Sequence, residues 1–263
     1  MAISSSLIIA TYNWPQALDL CLNSVIKQRV LPDEVVIADD GSGPETAAMI
    51  NKYADRLPIK HIWHADNGFR LAAIRNKANA AAGGEYLIQI DGDLILHPDF
   101  VGDHLRAAKK EHFIGGSRVI LSQELTDSVF KESGKLPSLF SKGVRNRLNG
   151  MHSKILADLL SSLINTRKSN NIRGCNMSYW KKDFVDVNGY DEEFVGWGRE
   201  DTDLVLRFYK AGLQRSFFKL RGIVYHLWHK EAERKDLDKN ELILQQTKSG
   251  GRIRCEKGVD QYL

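Results

Sequence analysis

Two aspartates separated by one glycine, Asp91 and Asp93, follow an apolar run that ends at Ile90. This run has the character of a buried strand. Two carboxylates at the end of such a strand repel each other unless a cation or water lies between them. Mg²⁺ and Mn²⁺ are held by one or two carboxylates together with phosphate oxygens. Asp91, Gly92 and Asp93 therefore predict a site for Mn²⁺ or Mg²⁺ carrying a diphosphate.

A second group of acids follows a tryptophan that lies between two glycines, Gly196 and Gly198. Glu200 and Asp201 open a helical pattern, where acids complement the helix dipole. The dipole does not account for Trp197, whose glycine neighbours let the ring and backbone approach a ligand closely. A tryptophan face beside carboxylates is typical of a sugar site. A carboxylate in such a site can act as general base on a sugar hydroxyl.

Two histidines, His226 and His229, stand at the end of a later apolar run. They can be ordinary structural histidines near the end of a strand. Imidazole nitrogen also coordinates Mn²⁺, so either one can complete the metal site of Asp93. We take His226 as the first choice because it ends the apolar run.

Polar residues follow the first two predicted strands: Thr11, Tyr12 and Asn13 after one, Asp39 and Asp40 after the other. Such residues commonly cap helices and form tight turns. Two polar loops side by side can instead bind a nucleobase. A buried carboxylate is a suitable acceptor for an imide N–H such as that of uracil.

Basic and amide side chains surround the start of a predicted helix at 71–82. Asn67 and Arg70 precede it, and Arg75 lies early in it. Arg75 has two interpretations. It can lie on a solvated helix face or pair with one of the aspartates, or it can orient Asp91 and neutralise the charge of a diphosphate.

Strands and helices alternate over the first third of the chain, which predicts a parallel sheet with right-handed crossovers. Ligands collect at the carboxyl ends of strands in such sheets, where the four aspartates 39, 40, 91 and 93 fall. The strands are predicted at 6–10, 34–38, 59–63, 86–90, 113–121, 174–180, 214–218 and 222–228. The helices are predicted at 15–28, 45–57, 71–82, 183–187, 201–212 and about 240–247, with a loose C-terminal end.

The stretch from about Ser122 to Asn171 is basic and carries a strongly apolar run at 155–164. It fits a solvated lid with one core-facing helix, or a basic amphipathic surface for an anionic membrane or a lipid-linked acceptor. Its cations are Lys131, Lys135, Lys142, Arg145, Arg147, Lys154, Arg167 and Lys168.

The bulk composition is that of an ordinary globular protein. The 263 residues suit one large α/β domain or a domain with an extension. A net charge of +4 does not indicate nucleic-acid binding. Three cysteines without a CxxC spacing indicate neither a disulfide framework nor a zinc site. With no signal peptide or apolar run long enough to span a membrane, we expect a cytoplasmic protein. If 122–172 is the membrane surface rather than the lid, it would add peripheral contact with the inner membrane.

Taken together, these motifs resemble those of inverting glycosyltransferases of family 2, which have the GT-A fold. The N-terminal marks are 11–13, 37–42, 73–76 and 91–93. Residues 171–229 are similar to the C-terminal region of β-1,4-galactosyltransferases and bacterial chondroitin polymerases, through 188–191 and 196–203. The resemblance implies an α/β, Rossmann-like GT-A fold: a mixed, mainly parallel sheet flanked by helices, with a partly helical insertion.

The resemblance also implies roles at the nucleotide end of the site. Asp40, with Asp39, would contact uracil, while Thr11 and Tyr12 line the nucleotide. Asp91 would face the ribose and donor sugar. The ligands of Mn²⁺ on the diphosphate would be Asp93 and His226.

At the sugar end, the resemblance makes Trp197 the floor of the sugar sites, bordered by Gly198 and Arg199. Glu200 and Asp201 would bind the acceptor, with Asp201 as general base. Arg199 replaces a glycine of the galactosyltransferase pattern and Thr202 replaces an acid. Both lie beside the acceptor, so its identity is not carried over.

The expected reaction moves a sugar from a UDP-sugar to a hydroxyl of a glycan or lipid-linked acceptor, in bacterial cell-surface polysaccharide synthesis. The expected parts are a nucleotide-sugar half (1–120), a basic insertion or lid (121–172), an acceptor and catalytic half (173–230) and a charged extension (231–263). A nucleotidyltransferase would need a Gly-, Lys- or Arg-rich triphosphate loop, which 10–17 lacks. The retained acids argue against a non-catalytic carbohydrate-binding protein.

Overall fold

The computed structural model describes residues 3–163, 172–230 and 234–263. Its strands are β1 (Ser5–Thr11), β2 (Glu34–Asp39), β3 (Ile59–Trp63), β4 (Tyr86–Asp91), β5 (Leu94–Leu96), β6 (His112–Gly115), β7 (Val119–Ile120), β8 (Asn176–Trp180), β9 (Gln214–Arg215) and β10 (Val224–His226). Its helices are α1 (Pro15–Ile26), α2 (Pro44–Asn51), α3 (Leu71–Ala81), α4 (Phe100–Ala107), α5 (Gln123–Lys131), α6 (Lys154–Leu163), α7 (Lys181–Asp186), α8 (Glu200–Lys210) and α9 (Leu237–Ser249). Short 3₁₀ turns cover Arg147–Gly150 and Val259–Tyr262.

The main sheet has the strand order β3-β2-β1-β4-β8-β6-β9. Strands β1 to β4 are parallel, and β8 runs antiparallel between β4 and β6. Leu7 and Ile9 of β1 pack on the α1 side, while Ile8 packs against the opposite side with Ile74 of α3. Burial on both faces explains the unbroken apolar strands. The expected α/β sheet, mixed and mainly parallel with flanking helices, is confirmed.

The register of the sheet brings the predicted polar residues to one edge. Thr11 pairs with Asp39 at the ends of β1 and β2, and Ala10 pairs with Asp91 on the other side of β1. The carboxyl ends of three neighbouring strands therefore form one rim, to which the following loops add their side chains.

A small second sheet, β5-β10-β7, carries the rest of the site. Its strand β5 and the following α4 were not predicted. In this sheet His226 pairs with Leu94, and the Leu227 amide donates to the Asp93 carbonyl at 3.0 Å. The histidine at the end of β10 consequently lies beside Asp93, the residue before β5.

The single strand predicted at 113–121 is wrong. The chain forms β6 in the main sheet, leaves it at Gly116 and enters the small sheet as β7. A side chain at Gly116 would collide with Asn176, whose amide donates to the Ser117 carbonyl at 2.9 Å. The strands predicted at 214–218 and 222–228 are shorter, as β9 and β10.

The prediction of a loose C-terminal end is also wrong. Cys255 and Val259 are buried. The Asn188 side chain donates to the Cys255 carbonyl at 2.9 Å and accepts from the Asp260 amide at 2.9 Å. The tail after α9 is thus part of the folded body, although the first three residues of the predicted extension lie outside the described ones.

The basic stretch is partly helical, as α5, a 3₁₀ turn and α6. Val129 of α5 and Val144 pack into the core beneath the small sheet. Of the two interpretations of this stretch, the core-facing helix is wrong over its described part, because α6 buries only Ala157 completely while its large apolar side chains face outward. Ile164, Arg167 and Lys168 lie outside the described residues. Among the residues that are described, no helix has the length and apolar character needed to cross a bilayer.

Candidate active site

A buried arginine, Arg75 of α3, forms the centre of the site. It donates to Asp91 Oδ1 at 3.0 Å and to Asp201 Oδ1 at 2.9 Å. It also lies 3.5 Å from Glu200 Oε1 and stacks over the Tyr190 ring, 5.3 Å from its centroid. One guanidinium fork therefore holds three carboxylates, from the end of β4 and from the start of α8.

Two of the acids that contact Arg75, Glu200 and Asp91, have shifted pKa values. Burial, reinforced by the charge of Asp201, raises the pKa of Glu200 to about 8. Burial also raises the pKa of Asp91 to about 6, against the opposing charge of Arg75. Three carboxylates share one cation, and this excess of negative charge adds to the cost of burying them. Such perturbed acids are typical of a site that binds a cation or moves a proton.

Asp201 is held from both sides by backbone and side-chain donors. Its Oδ2 accepts the Gly174 amide at 2.7 Å, and its Oδ1 accepts from Arg75 and, at 3.4 Å, from the Tyr190 hydroxyl. A side chain at Gly174 would overlap the Asp201 carboxylate, so this close approach requires glycine. The fixed carboxylate is suited to receive a proton from a hydroxyl placed beside it.

A second cluster lies next to the first. Asp93 Oδ2 is 3.3 Å from His226 Nε2 and 3.1 Å from His229 Nε2. Asp93 Oδ1 is buried and has no hydrogen-bond partner among the described residues. One carboxylate and two imidazoles, with ligand atoms within 4.8 Å of one another, are a donor set that Mn²⁺ accepts. The orphaned oxygen and the donor set fit a divalent cation.

The two histidines differ in protonation. Burial lowers the pKa of His226 to about 4, so its imidazole is neutral. The hydrogen bond to Asp93 raises the pKa of His229 to about 9. Burial pushes the pKa of Asp93 up, but His226 and His229 together hold it below its ordinary value. A cation bound here would take the place of the His229 proton.

The predicted nucleotide residues lie at the same rim, engaged with one another. Asp39 accepts the Ser42 amide at 2.8 Å and lies 2.9 Å from His61 Nε2. Asp40 lies 2.7 Å from His64 Nε2 and accepts the Arg70 amide at 2.9 Å. These contacts satisfy much of the hydrogen-bonding capacity of both carboxylates. Burial raises the pKa of Asp40. Burial acts in the same direction on Asp39, but the hydrogen bonds with His61 and Ser42 outweigh it and lower the pKa of Asp39.

The loop after β1 borders this group. The Asn13 amide donates to Ser42 Oγ at 2.8 Å, and Asn13 Oδ1 accepts the Gly43 amide at 2.9 Å. Thr11 is buried, whereas Tyr12 is half exposed and donates to Asp66 at 2.9 Å. Tyr12 thus presents an accessible ring at the mouth of the rim. Gly92 packs against the end of β1, where its amide donates to the Ala10 carbonyl at 2.7 Å.

The Gly-Trp-Gly loop meets the loop before α3. The Gly196 amide donates to the Phe69 carbonyl at 3.0 Å, and Arg70 Nε lies 3.4 Å from the Asn67 carbonyl. Trp197 is partly exposed, and Arg234 stacks over its ring at 4.9 Å. The part of the ring that Arg234 leaves exposed is a surface on which a sugar can lie.

The C-terminal helix α9 supports this loop, which the sequence did not indicate. Asn240 donates to the Val195 and Gly198 carbonyls, both at 3.0 Å. Arg199 has a positive φ of 83° and pairs with Glu241 at 2.7 Å. Helix α9 thereby fixes the backbone that leads into Glu200.

Asp203, the third acid of the motif, is structural. It is fully buried, bonded to Arg207 at 2.7 Å and to Thr247 of α9 at 2.6 Å. Its contacts tie α8 to α9, while Glu200 and Asp201 face Arg75 on the other side.

Arg118 is a further cation of the site that sequence reasoning missed. It contacts Cys175 Sγ at 3.6 Å, and its buried Nε has no hydrogen-bond partner in the described part of the chain. Its charge acts on both Asp93 and His226. No motif marks it, because it lies in the unforeseen switch between β6 and β7. A partly buried guanidinium beside the proposed metal site can bind an anion.

Another cluster of ligand-type side chains, His97, Asp99 and His152, lies near α4. Asp99 is already paired with Lys154 at 2.7 Å and with Arg29. These two cations would repel a metal ion. We therefore place the metal at Asp93.

Two protein-family models match the chain. Residues 6–168 match the model of glycosyl transferase family 2, and residues 160–230 match one described as the N-terminal domain of galactosyltransferase. Arg75 and Asp93 lie in the first match, and Asp201 and His226 lie in the second.

Among curated relatives, the chondroitin synthase of Pasteurella multocida is 28% identical over 240 residues, which are 85% of this chain and 25% of that protein. The chain thus spans about a quarter of that relative's length.

Among solved structures, residues 1–349 of S. aureus TarS in complex with UDP have a TM-score of 0.67 at 18% identity, covering 99% of this chain and 68% of that one. A mannosyltransferase from Pyrobaculum calidifontis in complex with GDP-Man and Mn²⁺ has a TM-score of 0.61 at 15% identity, covering 88% and 59%. These similarities establish the shared fold.

Proposed function

The chain belongs to glycosyl transferase family 2, and we propose that it moves a sugar from a UDP-sugar to a hydroxyl of a glycan or lipid-linked acceptor, with inversion at the anomeric carbon. In this proposal residues 1–120 bind the donor and residues 173–230 bind the acceptor and carry the general base. The solved relatives bound to UDP and to GDP-Man with Mn²⁺ support a nucleotide-sugar donor.

The main support for this function is that the two halves of the chain meet at Arg75. The arginine contacts Asp91 at the end of β4 and Asp201 at the start of α8. Asp93 and His226 join the same two halves a short distance along the rim. A donor diphosphate and an acceptor hydroxyl bound to these halves would lie next to each other, which is what a single displacement requires.

Asp93, His226 and His229 would hold Mn²⁺ or Mg²⁺. A divalent cation at this place supplies charge that stabilises the departing diphosphate. Arg118, whose guanidinium lacks a carboxylate partner in the described residues, would add a second positive charge on the same side.

Asp201 would take the proton of the acceptor hydroxyl. The bond from that oxygen to the anomeric carbon forms as the bond from the anomeric carbon to the diphosphate breaks, on the opposite side of the sugar ring. Arg75 and the Gly174 amide orient the carboxylate. Trp197 would support the sugar, and Glu200, with a pKa of about 8, would donate a hydrogen bond to it as a neutral carboxyl.

The chondroitin synthase similarity supports a role in cell-surface polysaccharide synthesis. Cys21, Cys175 and Cys255, all within the described residues, are free buried thiols, which fits the reducing conditions of a cytoplasm. A lipid-linked acceptor would bring the enzyme to the inner face of a membrane.

A donor screen tests the proposed function. Purified protein with Mn²⁺ is incubated with UDP-sugars and GDP-sugars in turn, and release of the nucleoside diphosphate is measured, because such enzymes transfer activated sugar slowly to water. We expect release from a UDP-sugar and stabilisation of the fold by UDP but not by ATP or CTP. Release from GDP-sugars alone would contradict the assignment of uracil, and equal stabilisation by all nucleotides would contradict the donor class.

A further inference from the structure

Helix α6 directs its apolar side chains into solvent. Ile155, Leu156, Leu159 and Leu163 are 82%, 51%, 54% and 72% exposed. At about 100° per residue these four positions fall within one arc of roughly 100° on the helix surface. Amphipathic helices of globular proteins normally bury that arc against the core. A contiguous exposed aliphatic face of this kind marks an interaction surface.

The polar side of α6 is fixed to the protein, so the helix cannot turn its apolar face inward. Asp158 is bonded to Arg106 at 2.5 Å and to Arg221 at 3.2 Å. Lys154 is bonded to Asp99 at 2.7 Å, and Ala157 is completely buried. Rotation of the helix would break these ion pairs and expose the alanine.

The segment that carries this face is also where the positive charge of the chain is concentrated. Residues 133–171 contain seven Lys or Arg and a single acid, Asp158, whereas the whole chain has a net charge of only +4. The rest of the chain therefore has slightly more acids than bases. Asp158 itself is neutralised by the two arginines that bind it.

The combination of an apolar face with a cationic segment indicates which kind of partner this surface binds. A nucleic acid offers phosphates but no apolar phase for four aliphatic side chains. A second copy of the chain would bring two cationic segments together. A bilayer with anionic headgroups offers both an acyl boundary for the aliphatic face and negative charge for the lysines and arginines.

We propose that α6 lies flat on an anionic lipid bilayer, with Ile155, Leu156, Leu159 and Leu163 in the acyl boundary. The exposed cations of the same segment, Lys135, Lys142, Arg145 and Arg147, would contact the headgroups. This contact would hold the enzyme beside a lipid-linked acceptor. It does not depend on the proposed reaction, because vesicle binding requires neither donor nor acceptor.

Sedimentation with vesicles tests the proposal. We expect the full chain to bind vesicles of phosphatidylcholine containing phosphatidylglycerol, to bind phosphatidylcholine alone much more weakly, and to lose affinity as salt is raised. The double variant Ile155→Ser/Leu163→Ser should lose at least about tenfold in affinity. Leu242→Ser, at a 68% exposed leucine of α9, is the matched control and should bind like the unmodified chain.

Both changed side chains are on the surface, so we expect the double variant to fold and to hydrolyse the donor in vesicle-free solution at an unchanged rate. Absence of binding to anionic vesicles, or equal binding by the double variant, would overturn the proposal. A dimer that the double variant loses, in a chain that binds no vesicles, would assign the face to a second copy.

Discussion

Arg75 and Asp201 are 126 residues apart in sequence, yet the Arg75 guanidinium lies 2.9 Å from Asp201 Oδ1. The same guanidinium contacts Asp91 at 3.0 Å. The end of the fourth strand and the start of the eighth helix are therefore held in one geometry by a single buried side chain. This contact links the two parts of the chain that match different family models.

Replacement of Arg75 by Met should destabilise the fold strongly. It leaves the carboxylates of Asp91 and Asp201 without their shared cation, and removal of one partner of a buried ion pair costs about 3–5 kcal/mol. The free energy of unfolding, measured by denaturant titration, should fall by that amount. Arg145→Met, at an exposed arginine, is the control and should stay within about 0.5 kcal/mol. Equal stability of the two variants would show that Arg75 does not hold the carboxylates together.

Asp201→Asn should keep the donor site and lose most of the turnover. The amide preserves size but cannot accept a proton, and general bases typically contribute about 10²–10⁴-fold in rate. UDP affinity and kcat are measured separately, with Asp55→Asn at an exposed aspartate as the matched control. If kcat is unchanged while UDP still binds, another group is the base.

Glu200 should make the ligand-free protein less stable as the pH rises. Its pKa in the fold, about 8, lies above the ordinary value near 4.5 because the carboxyl is buried beside Asp201. Between these two values the folded state retains a proton that the unfolded chain releases, so the free energy of unfolding falls with rising pH.

Glu200→Gln removes this titration. The variant should show a smaller loss of stability than the unmodified chain between about pH 5 and pH 8. Denaturant unfolding at several pH values gives both slopes. Identical slopes would mean that Glu200 is ionised in the fold throughout this range.

Arg118→Met should weaken UDP binding. The buried Nε of this side chain has no partner among the described residues, and its charge acts on Asp93, so an incoming diphosphate would be its counterion. Hydrogen bonds to charged groups contribute about 1.5–3 kcal/mol, which is roughly tenfold or more in Kd. Calorimetry with UDP and Mn²⁺ gives the comparison, again with Arg145→Met as control. An unchanged Kd would exclude Arg118 from the diphosphate site.

The sequence was sufficient for the parts of the site that follow strand ends. Apolar strands followed by Asp39 and Asp91 predicted the sheet and its rim, because burial on both faces leaves long apolar runs. The pairing of β1 with β2 and with β4 then brings Asp39 and Asp91 to the same edge of the sheet.

What the sequence did not indicate depends on contacts between distant segments. Arg118 lies where the chain passes from one sheet to another, and the Gly115-Gly116 pair indicates a turn but not a change of sheet. The support of the Gly-Trp-Gly loop by Asn240 joins residues more than 40 positions apart. For α6 the sequence left open which way the apolar face points, because an apolar stripe is compatible with a core-facing helix and with a membrane-facing one. The ion pairs of Asp158 fix the rotation of the helix.

In the proposed reaction a divalent cation at Asp93, His226 and His229 holds the donor diphosphate. Titration calorimetry with UDP, with and without Mn²⁺, on the unmodified chain and on Asp93→Asn, tests it most directly. We expect Mn²⁺ to tighten UDP binding at least tenfold in the unmodified chain and to have no effect on Asp93→Asn, with Asp55→Asn behaving as unmodified. UDP binding that is equally tight in chelator, or a full Mn²⁺ effect in Asp93→Asn, would show that no cation at Asp93 holds the diphosphate.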